Sequence, residues 1–288
     1  MDIDLLRTFI ELSRTRHFAR TAQNLYVTQS TVSARIRLLE ESVGAPLFTR
    51  ERNNIQLTAA GEKLLRYAGN IMTTWHRAKQ EISLVDQTSI FLLVGAMHSL
   101  WDILLQDWMK YVFKTIPNVV LSAEAHTKDV LMRRLSEGTM DLAFVFDSPQ
   151  TEFHVTEIGR IPLLMVSSSP HLPVKEAISK DYILVEWGGY FANIHARTFP
   201  DLPAPRLRVS LGKLALGYIT QSGGTAYLAE PMVRELLKEG RLHRVEGAPV
   251  IERSCYAIFS NDPEKQHSIQ QALNYFIKPS ALREVANG

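Results

Sequence analysis

A single cysteine, Cys255, stands among 288 residues, which excludes an intramolecular disulfide. Its setting, SCYAIF, reads as a strand with a buried thiol, not the exposed, electropositive site that a reactive cysteine needs. No apolar run approaches the roughly 20 residues needed to cross a bilayer. The acidic, interrupted start MDIDLLRTFIEL does not read as a secretory signal either, so a cytoplasmic protein without membrane contact is expected. G-x-S-x-G, P-loop, G-x-G-x-x-G and H-E-x-x-H motifs are all missing, and the scattered histidines lack metal-ligand spacing. These absences argue against an enzyme, a metal site and a cofactor; a catalytic reading would have to rest on His98, Ser99, His126 and Asp147 alone.

What is present fits an ordinary globular protein, with 45% hydrophobic and 22% charged residues. The length is enough for two or three domains, each with its own core. The net charge is only +2, but it is unevenly placed: Arg14 to Arg52 holds seven arginines (14, 16, 20, 35, 37, 50, 52) against Glu40, Glu41 and Glu51. Clustered arginine is what phosphate neutralisation needs.

Within that basic stretch the apolar spacing predicts three helices. Leu6, Phe9 and Ile10 mark the first, with Asp2 or Asp4 as its cap; Phe18, Ala22 and Leu25 mark the second. After a tight link at Tyr26 and Val27, Thr28 is placed to cap a third helix from Gln29 to Val43, stopped by Gly44. Val32, Ile36, Leu39 and Val43 share its inward arc, and Gln29, Ser30, Ser33 and Arg37 an adjacent polar arc. Gln can bond adenine in a bidentate manner, Arg guanine, and Ser a base or a phosphate. This is a helix-turn-helix reading, with double-stranded DNA as the partner. Two short strands, Pro46–Arg50 and Asn54–Thr58, then form a wing, with Arg50 and Arg52 near its tip.

From Thr58 to about Val85 there is no proline, and Leu64, Ala68, Ile71, Trp75, Ala78 and Ile82 alternate spacings of four and three. A helix of that span, about 40 Å at 1.5 Å per residue, is expected to pair two chains along this seam. The bland alternative is a helix packed on its own domain.

These residues closely resemble the DNA-binding domain of LysR-type transcriptional regulators. The likeness is carried by TAQNL, VTQSTVS, LLEESVGAPLF and LTAAG in register, and within the family SRTRHF and FTRERNNIQLTAAGEKLL resemble the HdfR-like branch. The resemblance implies DNA contacts at Thr28, Gln29, Ser30, Ser33, Arg50 and Arg52. This chain departs from it at Ala34, where the family often has arginine, which leaves a phosphate contact missing or supplied by Arg35 or Arg37. It also implies a homotetramer built as a dimer of dimers on an inverted-repeat operator in the nucleoid.

Beyond Gln87 the pattern changes to alternating strands and helices. IFLLVGA, VVLSAEA and DLAFVF, then PLLMVSS, YILVEW, RLRVS, TAYLA and SCYAIF, predict two α/β lobes with parallel strands. Three domains follow: 1–58 winged helix-turn-helix, 59–87 linker and dimerisation helix, and 88–288 regulatory. Lobe I takes about 90–161 and 263–288, and lobe II about 162–262. The fold class is α/β with an N-terminal all-α winged helix-turn-helix, a long linker helix and, as the resemblance implies, a two-lobed C-terminal domain like the periplasmic binding proteins. Ligands of open α/β sheets bind beyond strand carboxyl ends. Candidate effector residues are therefore His98, Ser99, His126, Thr127, Phe146, Asp147, Gly223 and Thr225, with Ser99 and Asp102 read as a capping pair. Helix N-termini there favour a small anion. A regulator acting without any effector, or a small-molecule-binding protein, stays open as an alternative.

Overall fold

The computed structural model describes residues 2–51, 54–83, 90–179, 181–260 and 262–277. They divide into two compact units, Met1–Gln87 and Thr88–Gly288.

In the first unit α1 (Ile3–Thr15) starts at Asp2, whose carboxylate accepts from the Asp4 N–H at 2.9 Å. The second helix, α2 (Phe18–Leu25), is capped instead by His17, and α3 (Gln29–Val43) by Thr28. Gly44, at φ +74°, ends α3 in the left-handed region that suits glycine. Leu6, Phe9 and Leu12 of α1 meet Val32, Ile36 and Leu39 of α3 in a fully buried cluster, each worth roughly 1.5–3 kcal/mol of burial. Val43 departs from the expected inward arc: it is 44% exposed, because the core ends one turn earlier at Leu39.

The wing pairs β1 (Phe48–Glu51) antiparallel with β2 (Asn54–Leu57), Phe48 opposite Leu57. The Glu40 carboxylate fixes its base by accepting from the N–H groups of Leu47 at 2.7 Å and Phe48 at 3.3 Å. Thr58 caps α4 (Ala59–Ser83), accepting from the Gly61 N–H at 3.0 Å. Here α4 lies so close to the wing that a Cβ on Gly61 would collide with the Leu47 carbonyl oxygen.

The seam read along α4 divides in two. Ala68 is fully buried in this unit's own core, with half-buried Leu64 and Ile71 packed against that core, so this half of the stripe lies on its own domain. A small three-helix domain has too little apolar surface without this cover. Further along, Trp75 is 45% and Ile82 is 81% exposed, with Ala78 half-buried between them.

The second unit is built on one mixed sheet. Its first half runs β3 (Ile90–Ala96), α5 (His98–Leu100), a π-helical turn (Trp101–Leu105), α6 (Gln106–Thr115), β4 (Val119–Ala125), α7 (Lys128–Ser136) and β5 (Leu142–Phe146). Then come β6 (His154–Ser167), α8 (Val174–Ser179), β7 (Tyr182–Val185), α9 (Gly189–Thr198), β8 (Leu207–Val209), α10 (Gly212–Ser222), β9 (Thr225–Ala229), α11 (Glu230–Lys238), β10 (His243–Arg244), β11 (Ile251–Phe259) and α12 (Pro263–Ile277).

The strand order is β4-β3-β5-β11-β6-β9-β7-β8, with β10 on β6. Each lobe holds three parallel strands, β4-β3-β5 and β8-β7-β9. The two long strands β6 and β11 pair antiparallel to their neighbours and to each other, joining the lobes. The expectation of parallel strands thus holds within the lobes and fails between them. Helix α12 returns to the first lobe, where the Trp108 indole donates to the Ala272 carbonyl at 3.0 Å and Lys265 pairs with Asp141 at 3.1 Å. Among the described residues no helix is long and apolar enough to cross a membrane.

Candidate nucleic-acid interface and ligand cleft

The start of α3 is built by hydroxyls. Thr28 Oγ1 accepts from the Thr31 N–H at 3.2 Å and lies 2.9 Å from Ser30 Oγ and 2.8 Å from Thr31 Oγ1. This fixes the first turn and leaves Gln29 and Ser30 exposed beside half-buried Ser33. Arg37 stands exposed one turn on, 3.4 Å from Glu41. Arg35, offered with it as a replacement for the arginine absent at position 34, turns the other way. It donates to Asp4 at 3.2 Å and to Thr8 Oγ1 at 3.3 Å, tying α3 to α1. Side-chain periodicity explains the difference: Arg35 borders the buried Ile36 stripe, whereas Arg37 does not. Arg50 lies on β1, its side chain outside the described residues, as is Arg52.

In the second unit a pocket of about 370 Å³ opens between the lobes. From the first lobe it takes His98, Ser99, His126, Thr127, Lys128 and Phe146; from the second, Glu186, Trp187, Gly188, Ser210 and Leu211; and from β11, Arg253. Five of the eight residues read from sequence therefore line one cavity. Ser99 does so in another role than the one read for it: Met97 holds the cap position of α5 without a side-chain bond, and Asp102 pairs with Lys213 of the second lobe at 3.4 Å.

Asp147 does not line the cleft but a smaller recess of about 290 Å³, with Ser148 and Arg160. Gly223 and Thr225 are misplaced by the strand-end rule. Thr225 pairs with Tyr182, the first residue of β7, so both residues lie at the amino end of β9, away from the cleft. The same rule applied after β7 and β8 would have found Glu186 to Gly188 and Ser210.

Arg253 organises the floor. It is 3% exposed, donates to Asp147 Oδ2 at 2.6 Å and to the Trp187 carbonyl, and lies 4.0 Å from the Phe146 ring centroid. Burial lowers its pKa, opposed by the Asp147 charge. Lys128 Nζ donates to the Asp147 carbonyl at 2.9 Å. On the first-lobe wall His126 Nε2 lies 2.7 Å from Glu124 Oε2, which also accepts from Arg134. Burial raises the Glu124 pKa, but the hydrogen bonds of His126 and Arg134 outweigh it and hold this carboxyl below its ordinary value. Among the described residues no cluster of His, Cys, Asp and Glu could hold a metal ion.

A capped recognition helix with a wing, and a two-lobed α/β unit with a cleft between its lobes, are the parts of a DNA-binding regulator of transcription that carries a ligand-binding domain. Residues 3–62 match the bacterial regulatory helix-turn-helix protein, lysR family, and residues 92–278 the LysR substrate binding domain. The chain belongs to the LysR family: it is a DNA-binding transcriptional regulator with an effector-binding domain, and not an enzyme. It is 37% identical over 277 residues to the HTH-type transcriptional regulator HdfR of Escherichia fergusonii, covering 95% of this chain and 97% of that one. Its fold is similar to that of full-length CbnR complexed with its target DNA, with a TM-score of 0.76 at 18% identity over 96% of this chain and 100% of that one. The Vibrio fischeri regulator DarR in complex with DNA gives 0.59 at 23% identity, over 95% and 99%.

Proposed function

We propose that this regulator binds an inverted-repeat operator as a homodimer and that a small anion in the cleft governs its occupancy of DNA. The ligand class is carried by one observation. The N-cap residues of α5, α7, α9 and α10, namely Met97, Thr127, Gly188 and Leu211, all line the same pocket, and none makes a side-chain cap. Each such helix end presents unpaired N–H groups and a fraction of positive charge. Lys128 and Arg253 add two cations, against the lining carboxylate of Glu186 and the Asp147 carboxylate that Arg253 holds from behind.

On the DNA side Thr28 sets the helix start, Gln29, Ser30 and Ser33 read bases or phosphates, and Arg37 and the wing arginines Arg50 and Arg52 neutralise phosphates. The chains pair along the Trp75 to Ile82 half of α4 and assemble further into a dimer of dimers, acting in the cytoplasm on the nucleoid. A second reading rests on Asp147: with its carboxylate on Arg253 the chain carries its own counter-ion and works without an effector.

The test is fluorescence anisotropy with random duplex pools at two salt concentrations and sequencing of the bound fraction, repeated with acetate, benzoate, succinate and phthalate. An inverted repeat with steep salt dependence is expected. At least one anion should shift operator affinity, and Ser99→Trp should abolish that shift while DNA affinity stays. Binding without an enriched repeat would sink the dimeric operator. A response unaltered in Ser99→Trp would remove the ligand from this pocket, and no response to any anion would favour the second reading.

A further inference from the structure

The exposed surface of α3 changes character after its first turn. Ser30 is exposed and polar, and Ala34, one turn beyond it, is exposed as well. Leu38, a further turn on, is 49% exposed. Residues four apart lie one above the other along a helix, so Ser30, Ala34 and Leu38 form a single row that runs from polar to apolar. This row is not the core stripe, which belongs to the fully buried Val32, Ile36 and Leu39.

The neighbouring guanidinium groups leave the row bare. Arg35 is turned to Asp4 and Thr8 of α1, and Arg37 lies 3.4 Å from Glu41. At about 100° per residue the row adjoins the polar arc of Gln29, Ser33 and Arg37. In a helix-turn-helix the second helix, here α3, lies in the major groove. The apolar group that a standard base pair offers there is the C5-methyl of thymine, whereas cytosine presents an amino donor that an apolar side chain would strip of water without replacing its hydrogen bond.

We propose that Ala34, backed by Leu38, is a specificity-determining residue that packs its methyl group on the C5-methyl of a thymine in the operator, given that α3 is the base-reading helix as proposed above. Gln29 and Ser30 at the start of the helix then supply the hydrogen-bonded part of the readout, and the second and third turns supply an apolar part that accepts thymine and rejects cytosine.

The experiment uses the full chain and the duplex most enriched from the random pool, with each thymine replaced in turn by deoxyuridine. That exchange removes the methyl group and keeps every hydrogen-bonding atom. In fluorescence anisotropy at least one replacement should weaken wild-type binding about fourfold. Ala34→Gly and Leu38→Ala, both at exposed positions, should bind the thymine and deoxyuridine duplexes with nearly equal affinity, with circular dichroism unchanged in Leu38→Ala should Ala34→Gly fray the helix. Gln29→Ala should weaken binding to both duplexes alike and keep the fourfold ratio. The proposal is overturned if no deoxyuridine weakens wild-type binding, or if the ratio in Ala34→Gly and Leu38→Ala equals that of wild type. A pool without any enriched sequence overturns it together with base reading by α3. An enriched sequence without inverted symmetry removes only the dimeric operator, and the deoxyuridine ratio on that sequence still decides the role of Ala34.

Discussion

Gly188 occupies φ +95°, a region in which an L side chain is strained, and a Cβ there would meet Arg253 Nη2 at 3.2 Å. Gly188→Ala should therefore cost about 1–3 kcal/mol in urea denaturation. Burial lowers the pKa of His195 from 6.5, so the unfolded chain takes up a proton that the folded chain refuses. This contribution to stability is full above that value and is lost as the pH falls through the folded pKa. Melting curves between about pH 7 and about pH 5 should show a smaller decline in His195→Phe than in wild type. Cys255, the lone thiol, is fully buried and burial pushes its pKa far up. It should resist iodoacetamide in the native protein and react once urea is added. Its burial was legible from SCYAIF. Arg253 was not, because a charged side chain inside a strand reads as solvent-facing. Its alternation with Ile251 and Cys255 on one face was the available signal.

At the scale of the element, α4 shows what periodicity establishes and what it leaves open. The four-and-three spacing identifies an apolar stripe, but a stripe does not say which surface covers it. Ala68 faces its own α1, whereas Trp75 and Ile82 stand exposed. The two halves should respond differently. Ala68→Glu buries an unpaired charge and should unfold the first unit, while Trp75→Glu with Ile82→Glu should leave its circular dichroism intact and yield monomers in analytical ultracentrifugation. Long apolar runs made β3, β4 and β5 readable to within a residue. Helix α9 was missed because it opens on Gly188 and Gly189, which read as a turn, and β6 was foreshortened because its first half is largely exposed. Of the two, only α9, through its N-cap Gly188, belongs to the second lobe's side of the cleft.

On the scale of the whole molecule, the two compact units have separate cores, with Ile36 in one and Tyr227 in the other. Calorimetry should resolve two transitions, and Ile36→Ala, costing about 2–5 kcal/mol, should lower only that of the DNA-binding unit. The division into a DNA-binding part and an α/β part was legible because the hydrophobic period changes near residue 88. The antiparallel link between the lobes was not, since strand direction is set by partners distant in sequence. That link has a mechanical meaning. The lobes share one unbroken sheet and are coupled through the two-stranded ribbon of β6 and β11, whose register shifts at Cys255/Tyr256, two residues from Arg253. A bulge concentrates twist where it sits. The ribbon would thus act as a torsion spring beside the cleft, and a change in the angle between the lobes is expected as a twist about it rather than as a swing on a loose hinge.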